Sequence, residues 1–220
     1  MELYNSTLYN SANLLAYWRF EGNSNDAKNS NNGTDSNITY SLANGKFNQG
    51  AGFNGTSSKI TVPTFFSGTG NFTILGWVKP TSNGNRKIFL NMGTATTNNV
   101  NFFLSSEATT NVLHFEIYGG TSGSASGNLG DGSYHMIGAV RTSNAVQLYV
   151  DGAASGSTID VTALNVGAGS NTFIGALDND TFWYPGALDD FAFFNTNISA
   201  ANISALYVGS IPRFGILGVL

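Results

Sequence analysis

The chain has 220 residues, a formal net charge of −4, a hydrophobic fraction of 41% and a charged fraction of only 10%. It contains no cysteine and no cluster of lysine and arginine, which excludes a disulfide framework and a basic nucleic-acid interface. No apolar stretch reaches the roughly 18 residues of a membrane span, and the first residues lack the basic and apolar regions of a Sec signal peptide.

Short apolar segments separated by Gly, Asn and Ser predict about ten β-strands in a single domain. In chain order these segments are LLAYWRF, SKITVP, NFTILGWVKP, KIFLNMG, NVNFFLSS, VLHFEIYGG, SYHMIGAVRT, AVQLYVDG, NTFIGAL and GALDDFAFFN. Such spacing is typical of a β-sandwich.

One helix is predicted near the end of the chain, in the stretch ISAANISALYVG. Ser199 is the expected N-cap, and Gly209 is the expected stop. We expect an N-terminal extension at residues 1–12, the domain at residues 13–209 and an apolar tail at residues 210–220. The tail could pack on the sandwich or join copies of the chain into a homo-oligomer.

Alternation along the strands predicts which side chains face solvent, because neighbouring residues of a strand point to opposite faces. We expect one sheet to carry a mixed aromatic and polar outer face that could stack on sugar rings. A helix, a loop or a partner chain could instead cover this face. The residues predicted to lie on it are His114, Glu116, Tyr118, Tyr149 and Phe89.

A second candidate surface is the aromatic loop DTFWYPG. Trp183 and Tyr184 in this loop could contact a glycan, since sugar rings expose C–H faces to aromatic rings. Alternatively, these aromatic side chains pack on the domain itself.

The order of several segments resembles a known family. GKFNQGAGFNGTSSKITVP, FTILGWVKP, DGSYHMIGAV, VQLYVDG and a closing stretch with GALDDFAFF follow one another as in laminin-G-like, concanavalin A-like jelly rolls, in the pentraxin-like branch. The resemblance spans about residues 13–209. It implies an all-β fold, a two-sheet antiparallel jelly-roll sandwich with one short C-terminal helix. For the family it also implies frequent sugar or protein binding and frequent bound calcium.

The adjacent acids Asp189 and Asp190 interrupt an apolar run, so at least one shares a face with apolar neighbours. An unpaired buried carboxylate is costly, and calcium takes six to eight oxygen ligands. The resemblance places the first and last strands side by side, so we expect one calcium ion between the Asn-rich loop after the first strand and the last strand. Alternatively, the two acids pair with Arg19 or accept main-chain amide hydrogens. The predicted calcium ligands are Glu21, Asn23, Asp26, Asp189 and Asp190.

No catalytic motif emerges from the sequence. The paired acids of a glucanase strand are absent, and neither HExxH nor GxSxG occurs. We therefore expect a non-catalytic recognition module that binds carbohydrate, stabilised by calcium and displayed outside a cell or on a virion surface. Its partner would be a glycan or another cell-surface or virion component. The alternative is a structural, decoration or fibre protein of a virion or other assembly.

Overall fold

The computed structural model describes residues 6–81, 87–93, 100–107, 110–117, 121–162, 164–166, 171–177 and 180–210. Its helices are α1 (Ser6–Tyr9) and α2 (Ala200–Ser210), and a 3-10 turn spans Leu42–Asn44. The strands are β1 (Leu14–Trp18), β2 (Thr34–Ser36), β3 (Thr39–Ser41), β4 (Gly50–Asn54), β5 (Lys59–Pro63), β6 (Phe72–Pro80), β7 (Lys87–Met92), β8 (Val100–Glu107), β9 (Thr110–Ile117), β10 (Ser122–Ser124), β11 (His135–Thr142), β12 (Ala145–Val150), β13 (Ala153–Asp160), β14 (Asn171–Ile174) and β15 (Pro185–Phe194).

Two antiparallel sheets form a sandwich. Sheet A has the order β13-β12-β11-β6-β15-β4-β3, with β1 also paired to β15. Sheet B has the order β10-β9-β8-β7-β14-β5-β2. The predicted all-β jelly roll with one short C-terminal helix is confirmed, and the first and last strands are neighbours as expected.

The core between the sheets is built from alternating apolar residues. On β9, Leu113, Phe115 and Ile117 are buried, while His114 and Glu116 remain partly exposed. The alternation predicted for this strand is therefore correct. The same core contains apolar residues from both sheets, so it holds the two layers together.

Sheet A is buried on its outer face as well, which the alternation pattern did not predict. A second apolar cluster contains Trp77 and Tyr149 from this face together with Ile203 and Leu206 of α2. Tyr9 of α1 packs against the same cluster. Residues of α1, near the start of the chain, therefore contact the domain.

The predicted helix is confirmed. It begins at Ala200, and the Asn202 amide donates to Ser199 Oγ at 3.2 Å, as expected for an N-cap. The helix ends at Ser210, so Gly209 lies inside it rather than at its stop. Residues 211–220, the predicted tail, lie outside the described residues. Neither described helix has the length and apolar character required to cross a membrane.

Candidate functional site

A β-bulge explains why two adjacent acids of β15 are both buried. The pairing of β15 with β6 shifts register between Asp189 and Ala192, and Asp190 has a left-handed φ of 49°. At this point the strand also changes partner, from β4 at Leu188 to β1 at Phe191. A bulge breaks the alternation of side chains. The acids therefore both lie on the α2 side of sheet A, with partners from the second apolar cluster.

Asp189 holds the loop that follows the 3-10 turn. Its Oδ2 accepts hydrogen bonds from the main-chain amides of Lys46 and Phe47, at 2.8 and 2.9 Å. The side chain is buried, and desolvation, together with the negative charge of Asp190, raises the pKa of Asp189 to about 8. Asp190 in turn accepts a 2.6 Å hydrogen bond from the hydroxyl of Tyr17.

Asp26 organises the Asn-rich loop after β1. Its Oδ1 accepts from the amides of Tyr17 and Lys28, each at 2.9 Å. Its Oδ2 accepts from the main-chain and side-chain amides of Asn31, at 3.1 and 3.0 Å. Tyr17 thus links both acids, because its amide contacts Asp26 and its hydroxyl contacts Asp190.

The predicted calcium ligands are engaged in hydrogen bonds within the protein. Asp26 already accepts four N–H groups, Glu21 accepts the Gln49 amide at 3.2 Å, and the Asn23 side chain caps Asn25 at 2.9 Å. In the described part of the chain, no group of three or more acidic, His or Cys side chains could hold a metal. Main-chain amides, one of the alternatives left open, bind Asp26 and Oδ2 of Asp189, and bound calcium stays a prediction.

The candidate ligand residues divide between the two sheets. His114 and Glu116 lie on the outer face of sheet B, where His114 Nδ1 is 2.6 Å from Ser124 Oγ. Tyr118 lies outside the described residues. The register across sheet B aligns Thr61, Phe173 and Asn91 in one row, and through β8 this row continues to Glu116.

Three predicted outward residues are buried, and the structure corrects their assignment. Tyr149 lies on sheet A rather than beside His114, and it is only 7% exposed because α2 covers that face. Phe89 sits at a bulge of β7, which turns it into the core. Tyr184 is fully buried against Phe53 and Phe89, and its hydroxyl donates to Ala187 O at 3.1 Å. Neither tyrosine can contact a ligand from these positions.

The aromatic loop before β15 is anchored at both ends. The Tyr184 amide donates to Gly175 O at 2.8 Å, and the Leu177 amide donates to Thr181 O at 3.0 Å. The Phe182 carbonyl accepts from the Ile88 amide of β7 at 3.1 Å, which pins the loop to sheet B. Asp180 and Phe182 are held at left-handed φ values of 57° and 54°. Non-glycine residues in this region are strained and cluster at functional sites.

This loop meets two strands of sheet B in a cluster we call the Lys59 cluster, formed by Lys59, Phe173, Asp180, Phe182 and Trp183. The Lys59 ammonium lies 5.3 Å from the Phe173 ring centre and 5.9 Å from that of Trp183, and it pairs with Asp180. Phe182 is 41% exposed. The cluster therefore presents aromatic surface beside an ion pair.

Of the sequence-predicted residues, His114 and Glu116 lie on sheet B, and Trp183 lies on the loop attached to it. Lys59 and Phe173 were not predicted. The signal for Lys59 was available, because alternation in SKITVP turns it away from the core. NTFI gives no such signal, because Thr172, Phe173 and Ile174 are all buried.

One known protein family matches most of this chain. A family model described as the concanavalin A-like lectin/glucanases superfamily matches residues 54–204, more than half of the chain. The chain belongs to this superfamily. No curated protein sequence matches it.

Solved structures resemble this superfamily member in fold. Domain 4 of AbnA, an extracellular arabinanase from Geobacillus stearothermophilus solved with arabinotriose, is 19% identical with a TM-score of 0.69, covering 88% of this chain and 98% of that one. The receptor-binding domain of botulinum neurotoxin D is 14% identical with a TM-score of 0.68, covering 91% and 54%. A Trypanosoma rangeli sialidase is 15% identical with a TM-score of 0.67, covering 90% and 33%. This chain thus spans about half of the neurotoxin domain and a third of the sialidase.

Proposed function

We propose that this chain is a non-catalytic carbohydrate-binding module whose ligand lies on the outer face of sheet B, at the Lys59 cluster. The observation that carries the proposal is the anchored loop that holds Phe182 and Trp183 at the surface beside Lys59 and Asp180. Sugar rings bind through C–H contacts to aromatic rings and through hydrogen bonds to a few fixed polar groups. The cluster offers both kinds of contact.

A row of residues in register leads from the Lys59 cluster to Glu116, and Asn91 in the middle of this row is buried. Thr61 and Phe173 lead through the register toward Glu116, and His114 lies two residues from Glu116 on the same face. Neighbouring strands are about 4.8 Å apart, so the row from β5 to β9 spans roughly 19 Å over four intervals. That length suits an oligosaccharide better than a single sugar.

The position of the paired acids supports a module without hydrolytic activity. Glycoside hydrolysis uses two carboxylates that flank the scissile bond. Asp189 and Asp190 are each 1% exposed and hold main-chain and tyrosine hydrogens, so this pair cannot reach a substrate. The proposed module would act outside a cell, as does the arabinanase that shares its fold. The alternative role in a virion or other assembly stays a prediction.

Trp183→Ala tests the proposal. We first expect the unaltered protein to retain at least one oligosaccharide class on a glycan array, and then expect the variant to bind that glycan at least tenfold more weakly. The loss follows from removing the aromatic face on which a sugar ring would stack, and a tenfold loss corresponds to about 1.4 kcal/mol. Calorimetric titration gives the affinity.

Val208→Ala is the matched control, because it removes an exposed apolar side chain from α2 on the other sheet. It should leave the affinity unchanged. Unchanged melting temperatures would show that both variants fold. Binding by Trp183→Ala equal to that of the unaltered protein would contradict the placement of the site, and an array with no bound glycan would contradict the function.

A further inference from the structure

A polar cleft lies on the outer face of sheet A, between the 3-10 turn and the start of β15. Its volume is about 320 Å³, at the lower end of the range of roughly 300–1,000 Å³ for small-molecule sites. It opens where α2 no longer covers the outer face of the sheet. The polar side chains that line it are Asn37, Thr39, Asn44, Asn54, Lys79 and Thr81.

The cleft exists because its floor is made of small residues. The register places Thr39, Gly52, Ala187 and Lys79 in one row across β3, β4, β15 and β6. Gly52 has no space for a larger side chain, since an added Cβ would lie 2.2 Å from Asn44 Nδ2 and 2.6 Å from Thr39 Oγ1. The Asn44 and Thr39 side chains therefore lie over Gly52, and the Ala187 methyl group is the apolar part of the floor.

Hydrogen bonds within the protein fix the walls. Asn44 Nδ2 donates to the carbonyl and hydroxyl oxygens of Thr39, at 3.2 and 3.3 Å, and Asn44 O accepts from the Tyr134 hydroxyl. Asn54 Oδ1 is used by the amides of the following turn. Among the described residues, Asn44 Oδ1 and the Thr81 hydroxyl keep hydrogen-bonding capacity for a ligand, and both can face sugar hydroxyls.

Lys79 gives the cleft its charge. Its ammonium lies 5.6 Å from the centre of the Tyr134 ring, and within the described part of the chain no carboxylate lies within ion-pair distance of it. No acidic residue lines the cleft, although the chain as a whole carries a net charge of −4. A partly buried lysine without an acidic neighbour attracts an anionic group.

We propose that this cleft is a second ligand site, which binds one acidic sugar unit with its carboxylate on Lys79. The amide and hydroxyl groups of Asn44 and Thr81 would bind the ring hydroxyls, and the Ala187 methyl group would contact the C–H face of the ring. The site lies on sheet A, so it goes beyond the function proposed for sheet B and can be tested without it.

Trigalacturonic acid and the neutral galactotriose are suitable probes. In two-dimensional NMR spectra of the labelled protein, trigalacturonate should shift the amide signals of Gly52, Gly186 and Ala187 and the side-chain amide of Asn44. Lys79→Gln should weaken this binding at least tenfold, and Lys79→Arg should restore most of it. The affinity for galactotriose, which has no carboxylate, should be weak and equal in all three proteins.

Lys28→Gln is the matched control, because Lys28 lies beside β1, which pairs with the opposite end of β15, and its ammonium donates to Tyr9 O. It removes the same charge and should leave the affinity for trigalacturonate unchanged. The proposal is overturned if trigalacturonate shifts no cleft signal at 10 mM, or if Lys79→Gln and Lys28→Gln weaken binding equally. In Trp183→Ala, trigalacturonate should still shift the signals of Gly52 and of the Asn44 side chain, so failure here is distinguishable from failure of the sheet B site.

Discussion

At the scale of single residues, the buried acids act as anchors for loops. Asp26 gathers the loop after β1, and Asp189 binds the amides of Lys46 and Phe47. N–H donors take the place of water around each carboxylate, and these hydrogen bonds reduce the cost of burying it. Tyr17 joins Asp26 to Asp190, the neighbour of Asp189, so the chain near its start and its last strand are fixed together.

Asp189→Asn should change how stability depends on pH. The folded-state pKa of about 8 lies above the ordinary value of 3.8, so the folded protein binds a proton that the unfolded chain has lost. The free energy of unfolding therefore falls as pH rises from about 4 to 8, by at most ~1.4 kcal/mol per pH unit from this group. Asparagine can still accept both amides but does not ionise. The loss of stability between pH 5 and pH 8, measured by urea denaturation, should be smaller in the variant.

Asp160→Asn is the control for this measurement. Asp160 is exposed, and hydrogen bonds from Thr162 lower its pKa, so it is ionised in both states above pH 5. Its replacement should leave the difference between pH 5 and pH 8 unaltered. Equal pH dependence in Asp189→Asn and the unaltered protein would show that Asp189 does not carry the proton.

The sequence could predict that Asp189 and Asp190 are buried, because they stand in an apolar run. It could not predict their partners. The donors to Asp189 lie 143 and 142 positions earlier in the chain, and nothing in the local pattern marks those amides as free. A calcium site and a set of main-chain amides satisfy the same carboxylates, so composition alone could not separate them.

At the scale of elements, the bulge in β15 has a matching feature in β6. Gly76 lies opposite the bulge, and the Phe191 ring packs directly on it, so that an added Cβ would be 2.3 Å from the ring. The pair closes the core where β15 changes partner from β4 to β1. A glycine in a strand interior often marks such a close approach.

Gly76→Ala should therefore destabilise the protein by about 2 kcal/mol, because the added methyl group overpacks a buried aromatic contact. Gly70→Ala is the matched control, since an added Cβ there meets no atom within 4 Å. Thermal melting of both variants checks the prediction. Equal melting temperatures would mean that the Phe191 ring moves aside without cost.

The limits of strand periodicity also appear at this scale. Alternation correctly predicted the two faces of β9, where only one face of the sheet is covered. It also placed Tyr149 correctly on the face opposite Leu148, but α2 covers this face, which was the alternative left open. It failed for Phe89, because a bulge shifts the register. The helix was easier to predict, since its cap and its apolar spacing are both local signals. No local pattern in the sequence shows that a distant element covers a sheet face. None shows where a single-residue bulge occurs either.

At the scale of the whole molecule, the two sheets differ in what they leave exposed. Sheet A is packed on both faces along its central strands, and its outer face also carries the cleft beside Ala187. Sheet B presents the Lys59 cluster and the side chains of His114 and Glu116. Two separate surfaces on opposite sheets would let one module contact two parts of a polysaccharide, which strengthens binding without new contacts at either site.

The fold could be predicted nearly completely, because motif order, turn spacing and alternation all indicate one jelly roll. The candidate site could be predicted only in part. Trp183 was identified from its loop, whereas Lys59 and Phe173 join it through pairing between β5 and β14. Pairing between strands more than 100 residues apart in the chain brings these side chains together. No local sequence pattern reveals that pairing.

The central claim is that glycan binds on the outer face of sheet B. The most direct measurement is a map of NMR shift changes on adding the oligosaccharide selected by the glycan array. The largest changes should fall on the amides of Lys59 and Phe173 and on the indole N–H of Trp183. A map confined to α2 and the faces it covers, with those three signals unmoved at saturating ligand, would contradict the claim.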